Sequence, residues 1–455
     1  MTATGNVFHR NATTTPPLAV AGEGIWLIDD AGRRYIDACG GAAVSALGHG
    51  HPVVAAAIAA QAHSLEYAHT GSFTSAPAEA LATVIAGQCP SSPERTLDRV
   101  WFTSSGSEAV EAAIKLARQY HWERGDTRRT RLIARRQSYH GNTLGALAAG
   151  GNAGRRAAYA PLLIDVSLID PCFAYHHAHA GETPQEYGLR AAAALEQELQ
   201  RLGPDTVIAF IAETVVGATA GAVPPAPGYL AAIRAICDRH GVLLILDEVM
   251  CGSGRTGTFL ACEAEGVVPD IVTVAKGLGA GYQPIGATVC TAHIHDTIAT
   301  HSGALLHGQT YAGHPVGCAA ALAVQTVIRD QGLLARVAEA GHGLHARLAA
   351  RLGDHVHVGD IRGRGLLQAI ELVANRDHRT PFDPVRAINQ RIKAAAFARG
   401  LLVYPGSGSV DGQRGDHVLL APPYVTSDAE LDMIVDRLAD AIDAVFAGQA
   451  AGGAR

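Results

Sequence analysis

Between residues 99 and 290, short apolar runs alternate with longer stretches of helical spacing, and no other feature limits the possible folds as strongly. The strand candidates are Arg99–Thr103, Arg131–Arg135, Ile164–Ile169, Thr206–Ala212, Val242–Asp247, Ile271–Ala275 and Ile285–Cys290. Runs such as VLLIL and IVTVA show almost no polar face, which is what a strand needs when both sides of its sheet are covered. Between the strands, Glu108–Arg124 and Tyr229–His240 carry apolar residues three and four apart, the spacing of a helix with one buried side. This alternation predicts an α/β fold around a largely parallel sheet.

The pattern changes after about residue 330. Helical spacing gives way to DIRGRGLLQAIEL and HVLLAPP as strands, then to a closing helix over Asp428–Phe446. The hairpin-like IWLIDDAGRRYIDAC near the start is expected to join this second lobe. The division expected is 1–58 as the N-terminal segment of a small α+β domain, 59–330 as a large domain and 331–455 as the rest of the small one. No internal repeat or low-complexity linker interrupts the chain.

A formal charge of −6 offers no basic surface for nucleic acid. No stretch approaches the roughly 20 apolar residues that cross a bilayer, and the first residues lack a secretory pattern, so no membrane partner is expected. Eight cysteines lie scattered without a C-x-x-C, which reads as reduced thiols in a cytoplasm. The run YHHAHA (Tyr175–Ala180) shows no metal-ligand spacing to an acidic or cysteine partner, so it reads as a solvated loop, and no metal site is predicted.

Of 36 basic residues only three are lysines: Lys115, Lys276 and Lys393. Arginine stays protonated and delocalised, so it cannot replace lysine as an amine nucleophile. Lys115 follows Glu111 by one helical turn, the spacing of a surface ion pair, and Lys393 lies on a helix expected to be exposed. Lys276 ends the apolar run DIVTVAK, directly before GLGAG. A desolvated ammonium there has a depressed pKa, which frees the amine to attack an aldehyde.

Asp247 closes VLLILD, where a carboxylate points into the crevice at which parallel sheets bind ligands. It reads either as an acid capping a turn or, beside a strand-end lysine, as the partner of a pyridinium nitrogen. Ser105, Gly106 and Ser107 open the helix that follows RVWFT. They suit a phosphate dianion or a simple cap with Glu108, and both can hold together. GSGRTG (252–257) matches the dinucleotide pattern G-x-G-x-x-G, but five residues separate it from its strand and no good helix follows.

Together these residues resemble the class III aminotransferases, in the fold-type I group of pyridoxal-phosphate enzymes. The resemblance runs from IWLIDDAGRRYIDACGG to HVLLAPP and is strongest in LLILDEVMCGSGRTG and PDIVTVAKGLGAG, with GQTYAGHP following. It implies pyridoxal 5′-phosphate as cofactor and a seven-stranded, mostly parallel sheet. By the same resemblance Lys276 is the Schiff-base lysine and Asp247 the partner of the pyridine nitrogen. Gly106 and Ser107 form the phosphate loop, with Ser105 beside them. Tyr139, in SYHG, stacks on one face of the ring and Val249 covers the other. Glu213 takes the place of an active-site glutamate. Thr310 reaches the phosphate from the neighbouring subunit, which implies a homodimer with shared sites.

Two departures bear on substrate. Asn142 stands where members that fix an α-carboxylate carry arginine, and Met250 stands where many carry glutamine. The first leans toward the ω-amino acid and amine group, with pyruvate favoured over 2-oxoglutarate as acceptor. In that group a mobile arginine near the APP motif meets the carboxylate, and Arg414 is the local candidate. An aminomutase or decarboxylase would share every cofactor residue; a nicotinamide or flavin oxidoreductase would rest on GSGRTG alone.

Overall fold

The computed structural model describes residues 6–450. Its largest sheet runs in the order Ser91–Ser92, Arg95–Thr103, Gly286–Thr291, Ile271–Val274, Leu243–Asp247, Val207–Glu213, Arg131–Arg135, Val166–Ile169. All seven expected strands are present, joined by a two-residue edge strand. Gly286–Thr291 is antiparallel to both its neighbours, and the strands from Ile271–Val274 to Val166–Ile169 pair in parallel.

Every residue of Val207–Glu213, Leu243–Asp247 and Ile271–Val274 is buried, as the apolar runs require. Successive side chains on a strand face opposite ways. Thus Phe210, Leu244 and Val272 pack with Leu195, Tyr229 and Ile233 on one face. Ile211, Ile245 and Ile271 pack with Val110, Ala113 and Ala117 of the helix Gly106–Glu123 on the other.

A second sheet is wholly antiparallel, in the order Val358–Arg364, Leu367–Leu372, Asp416–Leu420, Tyr404–Ser407. At the N-terminus, Ala19–Glu23, Trp26–Asp29 and Arg34–Asp37 form a third sheet, which Leu401–Leu402 completes by pairing in parallel with Arg34–Asp37. Ile25 and Ile36 share a core with Leu344, Leu348, Ile370, Leu438 and Ile442, so the two ends of the chain bury one another. The helix Pro52–Ser64 spans position 58, and Pro315–Asp330 ends at position 330. No helix among the described residues is long and apolar enough to cross a membrane.

Two local readings are corrected. Lys115 is exposed as expected, but its Nζ lies 3.0 Å from His307 Nδ1. Glu111 instead accepts the N–H groups of Gly145 and Ala146 (2.8 and 3.0 Å) at the start of another helix, Leu144–Ala149. Backbone donors at a helix start outcompete an exposed ammonium for that carboxylate. YHHAHA is not a solvated loop. Ala174–His177 makes a helical turn, and the His176 side chain, largely enclosed, lies 3.1 Å from Glu371, an acid 195 positions away. Glu371 also accepts from Arg362 (2.5 Å) and Ser409 (2.6 Å). Burial pushes this carboxyl up, yet Arg362 and His176 outweigh it and hold the pKa down to about 2.

GSGRTG, as its spacing and sequel suggest, forms a buried turn rather than a strand-to-helix corner. Arg255 donates to the Pro422 carbonyl (2.5 Å) and lies 4.7 Å over the Tyr424 ring. The next element is only the short 3-10 turn Ala261–Glu265, so no helix N-terminus faces the glycines. Through Pro422 and Tyr424, the motif ties the APP region to the segment that follows the strand Leu243–Asp247.

Candidate active site

The C-terminal ends of the parallel strands open into a cavity of about 370 Å³. Ser105, Gly106, Ser107, Tyr139, Glu213, Asp247, Val249 and Lys276 all line it. They come from five different strand ends, which places the cavity where open α/β sheets bind ligands.

Lys276 follows the strand Ile271–Val274 and is held at φ +46°, a left-handed conformation costly for a residue with a Cβ. Its side chain lines the cavity. Burial pushes the ammonium pKa below its ordinary value, while Asp247 and Glu213 pull it back up. Lys115 and Lys393, by contrast, are exposed and lie outside the cavity.

Strand register sets three polar side chains in a row: Glu213 pairs with Asp247, and Asp247 with Thr273. Asp247 Oδ1 accepts from the Val249 N–H (3.0 Å) and from Thr273 Oγ1 (3.2 Å). Its Oδ2 accepts from His140 Nδ1 at 2.7 Å, with both side chains buried. His140 and Thr273 escaped the sequence reading. Two signals were available: His140 directly follows Tyr139 in SYHG, and Thr273 is the one hydroxyl in the run IVTVA. Neither spacing reveals the contact, because the partners lie 107 and 26 positions away.

Glu213 spends both oxygens on backbone, accepting from Tyr139 N–H (3.0 Å) and Gly217 N–H (2.9 Å). Burial raises its pKa, with His140 opposing. This glutamate shapes the cavity wall by fixing two loops.

At the other side, Ser105 caps the helix Gly106–Glu123 by accepting the Glu108 N–H (3.2 Å). Glu108 reaches back one residue further than a simple box, to the Ser104 N–H (2.7 Å). The N–H groups of Gly106 and Ser107 have no intrahelical acceptor and suit an anion. A Cβ on Gly106 would lie 2.7 Å from Val249 Cγ1, so only glycine lets the helix start approach that wall. Ser107 Oγ donates to Asn142 Oδ1 (2.9 Å) and accepts the Asn142 N–H (3.1 Å). Met250, apolar and buried, completes the wall near Gly217.

Two expected residues do not line the cavity of the single chain. Thr310 is exposed on a turn, where its carbonyl accepts from Tyr67 Oη (2.9 Å). Arg414 is exposed and pairs with Asp411 through Nε at 2.7 Å.

An amine of lowered basicity, a braced carboxylate, a helix start with open N–H groups and an aromatic wall are the donor set that a pyridine aldehyde phosphate requires. The class-III aminotransferase profile matches residues 7–442. The chain belongs to the class-III aminotransferases. An uncharacterized aminotransferase of Schizosaccharomyces pombe is 42% identical over 442 residues, which cover 97% of this chain and 95% of that protein. Among solved structures, an (S)-enantioselective omega-transaminase from Thermomicrobium roseum superposes with a TM-score of 0.90 at 34% identity, covering 97% and 96% of the two chains. The omega-transaminase of Pseudomonas jessenii in complex with PMP superposes with a TM-score of 0.89 at 32% identity, covering 95% and 93%. This class-III aminotransferase is a pyridoxal-phosphate enzyme of fold type I, and the residues lining its cavity fit that cofactor.

The bracing of Asp247 can be tested without the cofactor. His140→Leu leaves a buried carboxylate oxygen without its donor, and should destabilise the cofactor-free protein by about 1–3 kcal/mol in urea unfolding. Thr273→Val should cost less, since Val249 still serves the same oxygen. Equal stability of His140→Leu and the parent would mean that Oδ2 is not held by this histidine.

Proposed function

We propose that this aminotransferase moves an amino group from an ω-amino acid or small amine to an oxo acid, with pyruvate preferred to 2-oxoglutarate. The observation that carries the reading is Asn142. It stands where an α-carboxylate arginine would sit and is engaged with Ser107 instead. The structural likeness to omega-transaminases supports the same substrate class.

In this reading Lys276 holds the cofactor aldehyde between turnovers. With the donor bound, its Nζ would carry the proton away from the amine-bearing carbon, a task its lowered pKa favours. Asp247 supplies the carboxylate that keeps the ring nitrogen protonated, and His140 and Thr273 hold that carboxylate still. Bound pyridoxal phosphate supplies an electron sink for the charge left on the donor carbon. Gly106 and Ser107 hold the phosphate through backbone N–H groups, with Ser105 alongside, while Tyr139 and Val249 cover the two faces of the ring. Thr310 completes the phosphate site of the neighbouring subunit in a homodimer. The eight free cysteines support a reducing compartment, and we place the enzyme in the cytoplasm.

Arg414 is assigned to the substrate carboxylate. Its ion pair with Asp411 is exposed, and such pairs are worth about 0–1 kcal/mol, so leaving it costs little. Amine and ω-amino acid donors should be turned over with pyruvate more efficiently than with 2-oxoglutarate. Arg414→Ala should raise KM for pyruvate about ten- to a hundredfold, the loss of one charge-assisted pair, while amines lacking a carboxylate keep theirs. A preference for 2-oxoglutarate would overturn the acceptor assignment, and equal effects on all donors would overturn the role of Arg414.

The shared site is tested by complementation. Lys276→Ala and Thr310→Ala homodimers, each impaired, should regain activity when mixed under conditions of subunit exchange, because mixed dimers hold one intact site. A fully active monomer on sedimentation would contradict it.

A further inference from the structure

Two adjacent arginines of the short helix Ala153–Arg156 address different neighbours. Arg156 donates to the carbonyls of Leu147 (3.4 Å), Ala148 and Gly150 (2.7 Å), binding this turn to the end of the helix Leu144–Ala149. On the other side, Asn152 Oδ1 accepts the Arg155 N–H at 3.0 Å. The backbone of Arg155 is thus fixed from both directions.

From that mount the Arg155 guanidinium lies over the Tyr139 ring, 4.6 Å from its centroid. Among the described residues no carboxylate forms an ion pair with it, so the ring is its one specific partner. Tyr139 lines the cavity and Arg155 does not, which puts the guanidinium behind the ring, on the face turned away from the cavity. Glu213 fixes the Tyr139 backbone from a third direction. A planar guanidinium stacked on an aromatic face restricts how the ring can tilt.

We infer that Arg155 is a positioning residue for Tyr139, backing the ring so that its free face stays set against the cofactor. This rests on the placement of Tyr139 in the cofactor site proposed above. It gives the exposed Arg155 a different task from Arg414: orienting an aromatic wall, not receiving a substrate carboxylate.

The test is a double-mutant cycle on cofactor affinity, read by titrating pyridoxal phosphate into the cofactor-free protein and recording the bound absorbance spectrum. Arg155→Met, which keeps the length and loses the cation, should weaken binding about two- to fivefold, the worth of an exposed cation–π contact. Arg155→Lys should recover part of the loss. In a Tyr139→Leu background the same Arg155→Met change should have no further effect, since contacting residues are non-additive. An equal loss in both backgrounds would overturn the inference. So would unchanged cofactor affinity with a raised KM for pyruvate, which would make Arg155 a carboxylate receptor. If Tyr139→Leu alone leaves both affinity and spectrum unaltered, the placement of Tyr139 itself falls, and with it this role.

Discussion

Asp247 is a carboxylate that cannot move. Three donors from three segments hold it: the Val249 N–H, the Thr273 hydroxyl and the His140 ring. A buried carboxylate is tolerated only when its oxygens are satisfied, and these donors satisfy them without closing the cavity. The parallel register that sets Glu213, Asp247 and Thr273 side by side is therefore the constraint on which the site depends. A slip of one residue would turn Asp247 to the opposite face and Leu246 toward the helix Gly106–Glu123.

The same register explains why the two lobes are not interchangeable parts. The large sheet supplies the amine, the carboxylate and the helix start. The second lobe, built from both ends of the chain, carries Arg414 on an exposed loop and contacts the cavity wall through Arg362, whose guanidinium bonds the Gly221 carbonyl (2.6 Å). Gly217 and Ala218, in the same loop, touch Glu213 and the cavity. Glu371, accepting from Arg362, His176 and Ser409, joins the cavity-wall loop to the loop that carries Arg414.

Much of this was legible before any coordinates. Unbroken apolar runs marked the central strands Val207–Glu213, Leu243–Asp247 and Ile271–Val274, because a doubly covered strand has no polar face to hide it. Lys276 and Asp247 were legible because each is a charged residue ending such a run. What escaped shares one physical cause: side-chain partners chosen by the fold across long sequence separations. His140 reads as an ordinary neighbour of Tyr139 until the sheet brings Asp247 to it. His176 reads as solvated until Glu371 arrives from another lobe, and Glu111 reads as the partner of Lys115 until helix N–H groups compete for it. Composition also misplaced nothing in the cavity, since the three lysines separate into two exposed and one facing the site.

The central claim is that Lys276 is the amine that engages the cofactor. Borohydride reduction of the yellow holoenzyme, followed by peptide mapping, measures this directly. The account predicts a single modified peptide containing Lys276, and no label in a Lys276→Ala variant. Label on Lys115 or Lys393, or a cofactor that washes away unreduced, would contradict it.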